Sequence, residues 1–92
     1  MSVTLFVANV PYPVEDEELF DVFKPFGRIL MSRIVRDRET DDSKGYGFVE
    51  FSDEEDAKKA KEGLDGFGIR GRRIMVSYAK KKDREREAVN VL

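Results

Sequence analysis

The chain has no cysteine, no histidine and no tryptophan, and only three prolines. Without cysteine there is no disulfide, no thiolate nucleophile and no thiolate metal ligand, which suits an intracellular compartment. Without histidine the usual general base and the commonest metal ligand are missing. No apolar run approaches the roughly 20 residues that span a bilayer, and the opening MSVTLFVANV lacks a charged-then-apolar secretory pattern. An enzyme needs a nucleophile, an acid–base pair or an anion cradle. Here no phosphate-cradling glycine loop is visible, and the carboxylates fall in clusters at helix starts. The expectations are therefore no catalysis, no cofactor, no metal and no membrane contact.

What is present is one small domain's worth of chain, 92 residues, with seven Phe and three Tyr. That aromatic supply is larger than a single small core needs. The net charge of −2 hides a strong segregation. Residues 1–27 hold one basic residue against five acidic, and residues 49–66 three against seven. Residues 67–92 reverse the balance, with eight basic residues against three.

Residues 3–10 are β-branched and aromatic and run into Pro11, which reads as a strand. Over residues 15–26 the period changes. Leu19, Phe20, Val22, Phe23 and Phe26 recur at helical spacing behind an acidic first turn, and Pro25 and Gly27 close the helix. Residues 29–36 read as a second strand, 37–43 as a polar loop and 44–51 as a third strand. Ser52 and Glu55 have the spacing of a capping box, with Ser52 as the cap, opening a helix that aligns Ala57, Ala60 and Leu64. Residues 69–72 are turn-rich, with a short hairpin as one reading, and 73–79 form a fourth strand. The order β-α-β-β-α-β is the ferredoxin-like α+β pattern: a four-stranded antiparallel sheet with two helices on one face. The domain is placed at residues 1–80 and a charged tail at 81–92. Since both acidic segments are helices, acid should be banked away from the open face of the sheet.

Strand alternation then sorts the side chains. Leu5 and Val7, Val49 and Phe51, and Ile74, Val76 and Tyr78 are expected to face the helices. Phe6 and Ala8, Lys44, Tyr46, Phe48 and Glu50, and Met75, Ser77 and Ala79 are expected to face out. Three rings exposed on two strands mark a binding surface. Each base stacked on a ring is worth roughly 1–3 kcal/mol, so three stacks approach the ~8 kcal/mol of a micromolar complex. Burial in an ordinary core is the alternative for each ring taken singly. For the set it fails, because both faces of one strand cannot pack on the same two helices. Truncating Tyr46 and Phe48 together is expected to remove binding and leave thermal unfolding almost unchanged. Lys44 and Arg73 are candidate phosphate contacts with a solvated-charge alternative. Asn9 suits a strand-end turn better than base reading.

Lys44-Gly45-Tyr46-Gly47-Phe48-Val49-Glu50-Phe51 resembles the eight-residue motif of the RNA-recognition-motif family, and Leu5-Phe6-Val7-Ala8-Asn9-Val10 its six-residue motif. The resemblance covers about residues 3–80. It implies that Phe6 stacks one base, Tyr46 the next, and Phe48 packs on sugar. It also implies that Lys44 bridges to phosphate, and that Ser77, Ala79 and Lys80 read base edges, with Met75 and Asn9 beside them. The implied ligand is single-stranded RNA, with single-stranded DNA as the alternative. The chain departs from the family pattern at Ala8 and Asp41, where glycine is more usual, and Glu50 and the acidic 37–43 loop would repel phosphate.

A protein-interaction role for the acidic helices on the same fold is the rival function. A monomer is expected, located in the nucleus and/or cytoplasm, with mRNA processing as one setting and splicing, stability, translation and transport left open. Residues 80–86 have three readings: a solvated helix extension, a phosphate-binding arm or a nuclear-import patch. Residues 87–92 have one more, a turn covering the open face.

Overall fold

A computed structural model of the protein describes residues 1–80, so the readings made for the tail at 81–92 lie outside the described residues. The elements are β1 (Val3–Ala8), α1 (Asp16–Phe23), β2 (Ile29–Arg36), β3 (Ser43–Phe51), α2 (Glu54–Leu64), β4 (Gly68–Ile69), β5 (Arg72–Arg73) and β6 (Met75–Tyr78). Strands β2, β3, β1 and β6 lie side by side in that order, every neighbouring pair antiparallel. The α+β ferredoxin-like expectation holds, and the strands carrying the two motifs, β1 and β3, are central.

The core lies between the sheet and the helices. Leu5, Val7, Val49, Phe51, Ile34, Ile74 and Val76 come from the strands and the residues joining them, and Leu19, Phe23, Ala57, Ala60 and Leu64 from the helices. Two carboxylates stitch these layers together. Asp16 accepts from the backbone N–H of Ile34 at 2.7 Å, and Asp65 accepts from that of Val76 at 2.9 Å. Each supplies an edge strand with an acceptor that no further strand provides, because unpaired edge donors must otherwise face water.

Several boundaries move for local reasons. Helix α1 ends at Phe23 and tightens into a 3-10 turn over Lys24–Phe26. Pro25 has no N–H to donate back to Asp21, so the wider α turn cannot continue. The cap of α2 is Asp53 rather than Ser52: Asp53 Oδ1 accepts from the Glu55 N–H at 2.7 Å. Ser52 is still committed to the sheet side, donating its N–H to the Arg28 carbonyl at 3.0 Å. Strand β1 stops at Ala8 because Asn9 turns left-handed, with φ of 57°.

The turn-rich segment is a hairpin of β4 and β5, reversed at Arg70 and Gly71. Both have positive φ, 48° and 84°, which is the backbone of a type I′ turn. Arg73 thus belongs to this hairpin, and the fourth strand of the main sheet begins only at Met75. Tyr78, placed in the core by alternation, does lie on the helix side opposite the sheet face of Phe6, paired in register with Leu5. Yet it remains 43% exposed, because β6 is an edge, and its ring lies 5.5 Å from the Lys61 ammonium.

Candidate nucleic-acid interface

The outer face is fixed by register. Leu5 stands opposite Val49 in the core layer, and one residue further Phe6 stands opposite Phe48 on the other side of the sheet. On its second flank Phe6 pairs with Ser77, and Ala8 pairs with Met75. Tyr46 completes the group. The Phe6 ring centroid is 5.6 Å from both Tyr46 and Phe48, tilted by 47° and 54°. Such tilted contacts are favourable between rings and join all three in one patch.

The rings differ in access. Phe6 and Tyr46 are half-buried, but Phe48 is only 1% exposed. The expectation of three solvent-facing rings is therefore corrected to two, with Phe48 closed beneath them. Phe48 nonetheless lies on the outer face and outside the main core cluster. Side neighbours explain its burial: a ring at the middle of a central strand is flanked on both sides, here by Phe6 and by Arg33 of β2.

Both glycines of the β3 motif have structural reasons. Gly47 is buried where β2 crosses close, and a Cβ there would lie 2.4 Å from the Arg33 carbonyl oxygen. Gly45 has φ of 83°. Its carbonyl accepts from the Val10 N–H at 2.9 Å, which extends the β1–β3 pairing past the Asn9 turn.

The remaining candidates are distributed as follows. Lys44 is exposed just before Gly45, and Lys80 is exposed just past β6. Met75 and Ser77 are exposed on β6, Met75 to 59%. Ala79 is half-buried and its N–H is already given to the Thr4 carbonyl at 2.9 Å. The Asn9 side-chain amide donates to the Arg73 carbonyl at 2.8 Å, locking the β4–β5 hairpin onto the end of β1. Glu50 sits between Thr4 and Met31 in register, at the far end of the outer face from Lys44. The structure thus gathers Phe6, Tyr46, Phe48, Met75 and Ser77 on one face, while Asn9 and Arg73 lie at its end and are joined to each other.

Strand β2 is read as a strand from the sequence, but what it brings to the outer face is not. Arg33 pairs with Phe48 and brings an exposed cation to the outer face. Its alternation was obscured because the register shifts between Ile29 and Met31 and again between Ile34 and Arg36. These shifts leave Leu30 half exposed and Val35 only 5% exposed. A run with two irregularities loses its period-2 signature.

The electrostatics are those of an exposed surface. Asp37 caps its own loop, accepting from the Thr40 and Glu39 N–H groups at 3.1 and 2.9 Å, and these bonds hold its carboxyl below the ordinary value. Glu18 is likewise lowered by its hydrogen bonds to Arg70, at 2.7 and 3.0 Å. Among the described residues no group of His, Cys, Asp or Glu is arranged to hold a metal ion, and no helix is long and apolar enough to cross a membrane.

Against known proteins, residues 5–75 match the family model for the RNA recognition motif. The chain is 44% identical over 78 residues to the G subunit of eukaryotic translation initiation factor 3 from Emericella nidulans, covering 85% of this chain and 27% of that protein. It is 39% identical over 84 residues to the tau variant of human cleavage stimulation factor subunit 2, covering 91% of this chain and 14% of that protein. The chain thus spans only a minor part of the length of either relative. Among solved structures it superposes on a Sex-lethal protein/RNA complex with a TM-score of 0.83 at 39% identity, covering 87% of this chain and 48% of that one.

Proposed function

The chain belongs to the RNA recognition motif family, and from that premise we propose that it binds single-stranded RNA on the outer face of its sheet. Phe6 and Tyr46 stack successive bases. Phe48 forms the floor that holds both rings in place. Lys44, Arg33 and Lys80 meet phosphates, and Met75 and Ser77 contact base edges beside the Phe6 stack. The observation that carries this reading is the ring patch itself, two accessible aromatics 5.6 Å apart over a closed third. Two stacks supply roughly 2–6 kcal/mol. A micromolar complex needs about 8 kcal/mol, so the phosphate and edge contacts must contribute the difference.

The test is fluorescence anisotropy with a labelled degenerate RNA octamer. Phe6→Ala combined with Tyr46→Ala should abolish measurable binding and leave thermal unfolding nearly unchanged. Normal binding by that double variant would refute stacking. Phe48→Ala is the wrong probe for this purpose, because truncating a ring that is 1% exposed also costs stability. Single-stranded DNA of the same sequence, run in parallel, reports whether the 2′-hydroxyl is read.

A second reading, a protein contact on the helix side, is favoured by one observation. Between α1 and the edge strand β2 runs a groove of about 450 Å³, with the exposed apolar side chains Phe20 and Leu30 beside the acidic Asp16, Glu17 and Asp21. That chemistry suits a basic peptide carrying an apolar anchor. Glu17→Lys with Asp21→Lys should release a partner captured in the presence of nuclease while RNA affinity is retained. The relatives, one named for translation initiation and one for cleavage stimulation, fit the expected location in cytoplasm or nucleus and an assembly with other proteins.

A further inference from the structure

Beyond the end of β3 nearest Lys44 lies a cavity of about 560 Å³ lined by Tyr12, Arg36, Asp41, Asp42 and Ser43. Its volume is within the roughly 300–1,000 Å³ of small-ligand sites. Tyr12 is 67% exposed, the most open ring among the described residues. It lies against the strand: a Cβ built on Gly45 would meet Tyr12 Cε1 at 3.4 Å. The Tyr12 ring therefore adjoins the backbone of β3 just before Tyr46.

The polar groups around that ring are of a particular kind. Arg36 donates from one guanidinium nitrogen to the Asp41 carbonyl at 3.1 Å, and the same group carries further N–H donors. Asp41 and Asp42 are both exposed and enter the bonds of their loop through backbone groups. The Asp37 N–H donates to the Asp42 carbonyl at 2.7 Å, and the Asp41 N–H to the Asp37 carbonyl at 2.9 Å. Two carboxylates repel a phosphate, so this is no backbone clamp. Carboxylates accept hydrogen bonds, and among the four bases only guanine presents two adjacent N–H donors, N1–H and the 2-amino group, to a single carboxylate. Arginine in turn donates to the O6 and N7 acceptors that guanine also carries.

We propose that this pocket is a base-specific subsite for one unpaired guanine. The base stacks on Tyr12, with its Watson–Crick edge on Asp41 or Asp42 and Arg36 donating to its carbonyl. The proposal rests on the RNA-binding reading and adds to it a further base position with a sequence preference. It also gives the acid of the 37–43 loop a use, since that acid is unsuited to gripping phosphate.

The experiment uses uridine octamers with a single guanine moved through each position, and matched sets in which guanine is replaced by adenine or by inosine, which lacks the 2-amino group. Wild type should prefer guanine at one position by about tenfold over either replacement, within the range of one bidentate base contact. Tyr12→Ala should lower affinity for that octamer by roughly 5- to 150-fold, the effect of losing one base stack. Asp41→Asn with Asp42→Asn should erase the preference while affinity for plain uridine octamers stays the same or rises. Asparagine tolerates the left-handed φ of 64° at position 41, so the loop is preserved. Wild-type affinity for Tyr12→Ala, alongside lost binding by Phe6→Ala with Tyr46→Ala, would overturn the subsite and leave sheet binding standing. A guanine preference that survives the double asparagine variant would overturn the carboxylate recognition. Absence of RNA binding by the wild type would overturn both.

Discussion

Phe51 and Phe48 are three residues apart on β3 and both are sealed from water, yet they belong to opposite faces of the sheet. Phe51 packs in the layer shared with the helices, its ring centroid 6.4 Å from that of Phe23 on α1. Phe48 packs within the outer face, under Phe6 and in one patch with Tyr46. Burial alone therefore does not separate a core residue from one on the proposed binding face. What separates them is the company: Phe51 packs against a ring of α1, whereas Phe48 packs against the half-open Phe6 on the face proposed to bind RNA.

Four measurements test this contrast, in order of decreasing size. Phe51→Ala should lower the free energy of unfolding by about 3–5 kcal/mol, the usual cost of truncating a core phenylalanine. Urea denaturation reads it, and intact RNA affinity at low temperature should accompany the lost stability. Gly47→Ala comes next. The added methyl meets the Arg33 carbonyl at 2.4 Å, and backbone cannot swing aside as a side-chain tip does. A loss of about 1–3 kcal/mol is expected, as for other overpacked sites. Amide exchange should localise it to the β2–β3 pairing.

Lys44→Ala should weaken RNA binding without selectivity for sequence. If one phosphate contact is lost, the slope of log affinity against log salt should fall by about 0.7, the value per contact on single strands. An unchanged slope would remove Lys44 from the interface. The smallest effect concerns Glu18 and Arg70, which join α1 to the β4–β5 turn. Arg70 holds the Glu18 carboxyl below its ordinary value of 4.5. A lowered carboxylate stabilises the fold above its ordinary value and loses that contribution as pH falls through its folded value. Wild type and Arg70→Ala should thus differ slightly in melting temperature at neutral pH and converge as pH drops below 4.5. A gap that persists in acid would assign the difference to packing instead of charge.

Much of this was legible in the chain. The helical spacing of Leu19 and Phe23, the small-residue stripe of Ala57 and Ala60, and the alternation through β1 and β3 each follow from a fixed backbone period. A period can be read without knowing what the element packs against. The two motifs then singled out Phe6, Tyr46 and Phe48. Where the reading slipped, a residue's fate hung on a distant neighbour. Ser52 lost the cap to Asp53, whose carboxylate accepts from the Glu55 N–H, while the Ser52 backbone continues the pairing with Arg28. Tyr78 stayed exposed because β6 ended up an edge. Arg33 was overlooked because bulges on β2 broke its alternation.

The element types, the strand faces and the identity of the ring patch are written into the chain, since they depend on local periodicity and on residue chemistry. How open each ring is came from packing in three dimensions. That packing closed Phe48 under Phe6, left Tyr12 standing open beside Gly45, and tied Asn9 to Arg73. The reason is physical: accessible surface is a property of what lies next to a side chain in space, and those neighbours come from strands far away along the chain.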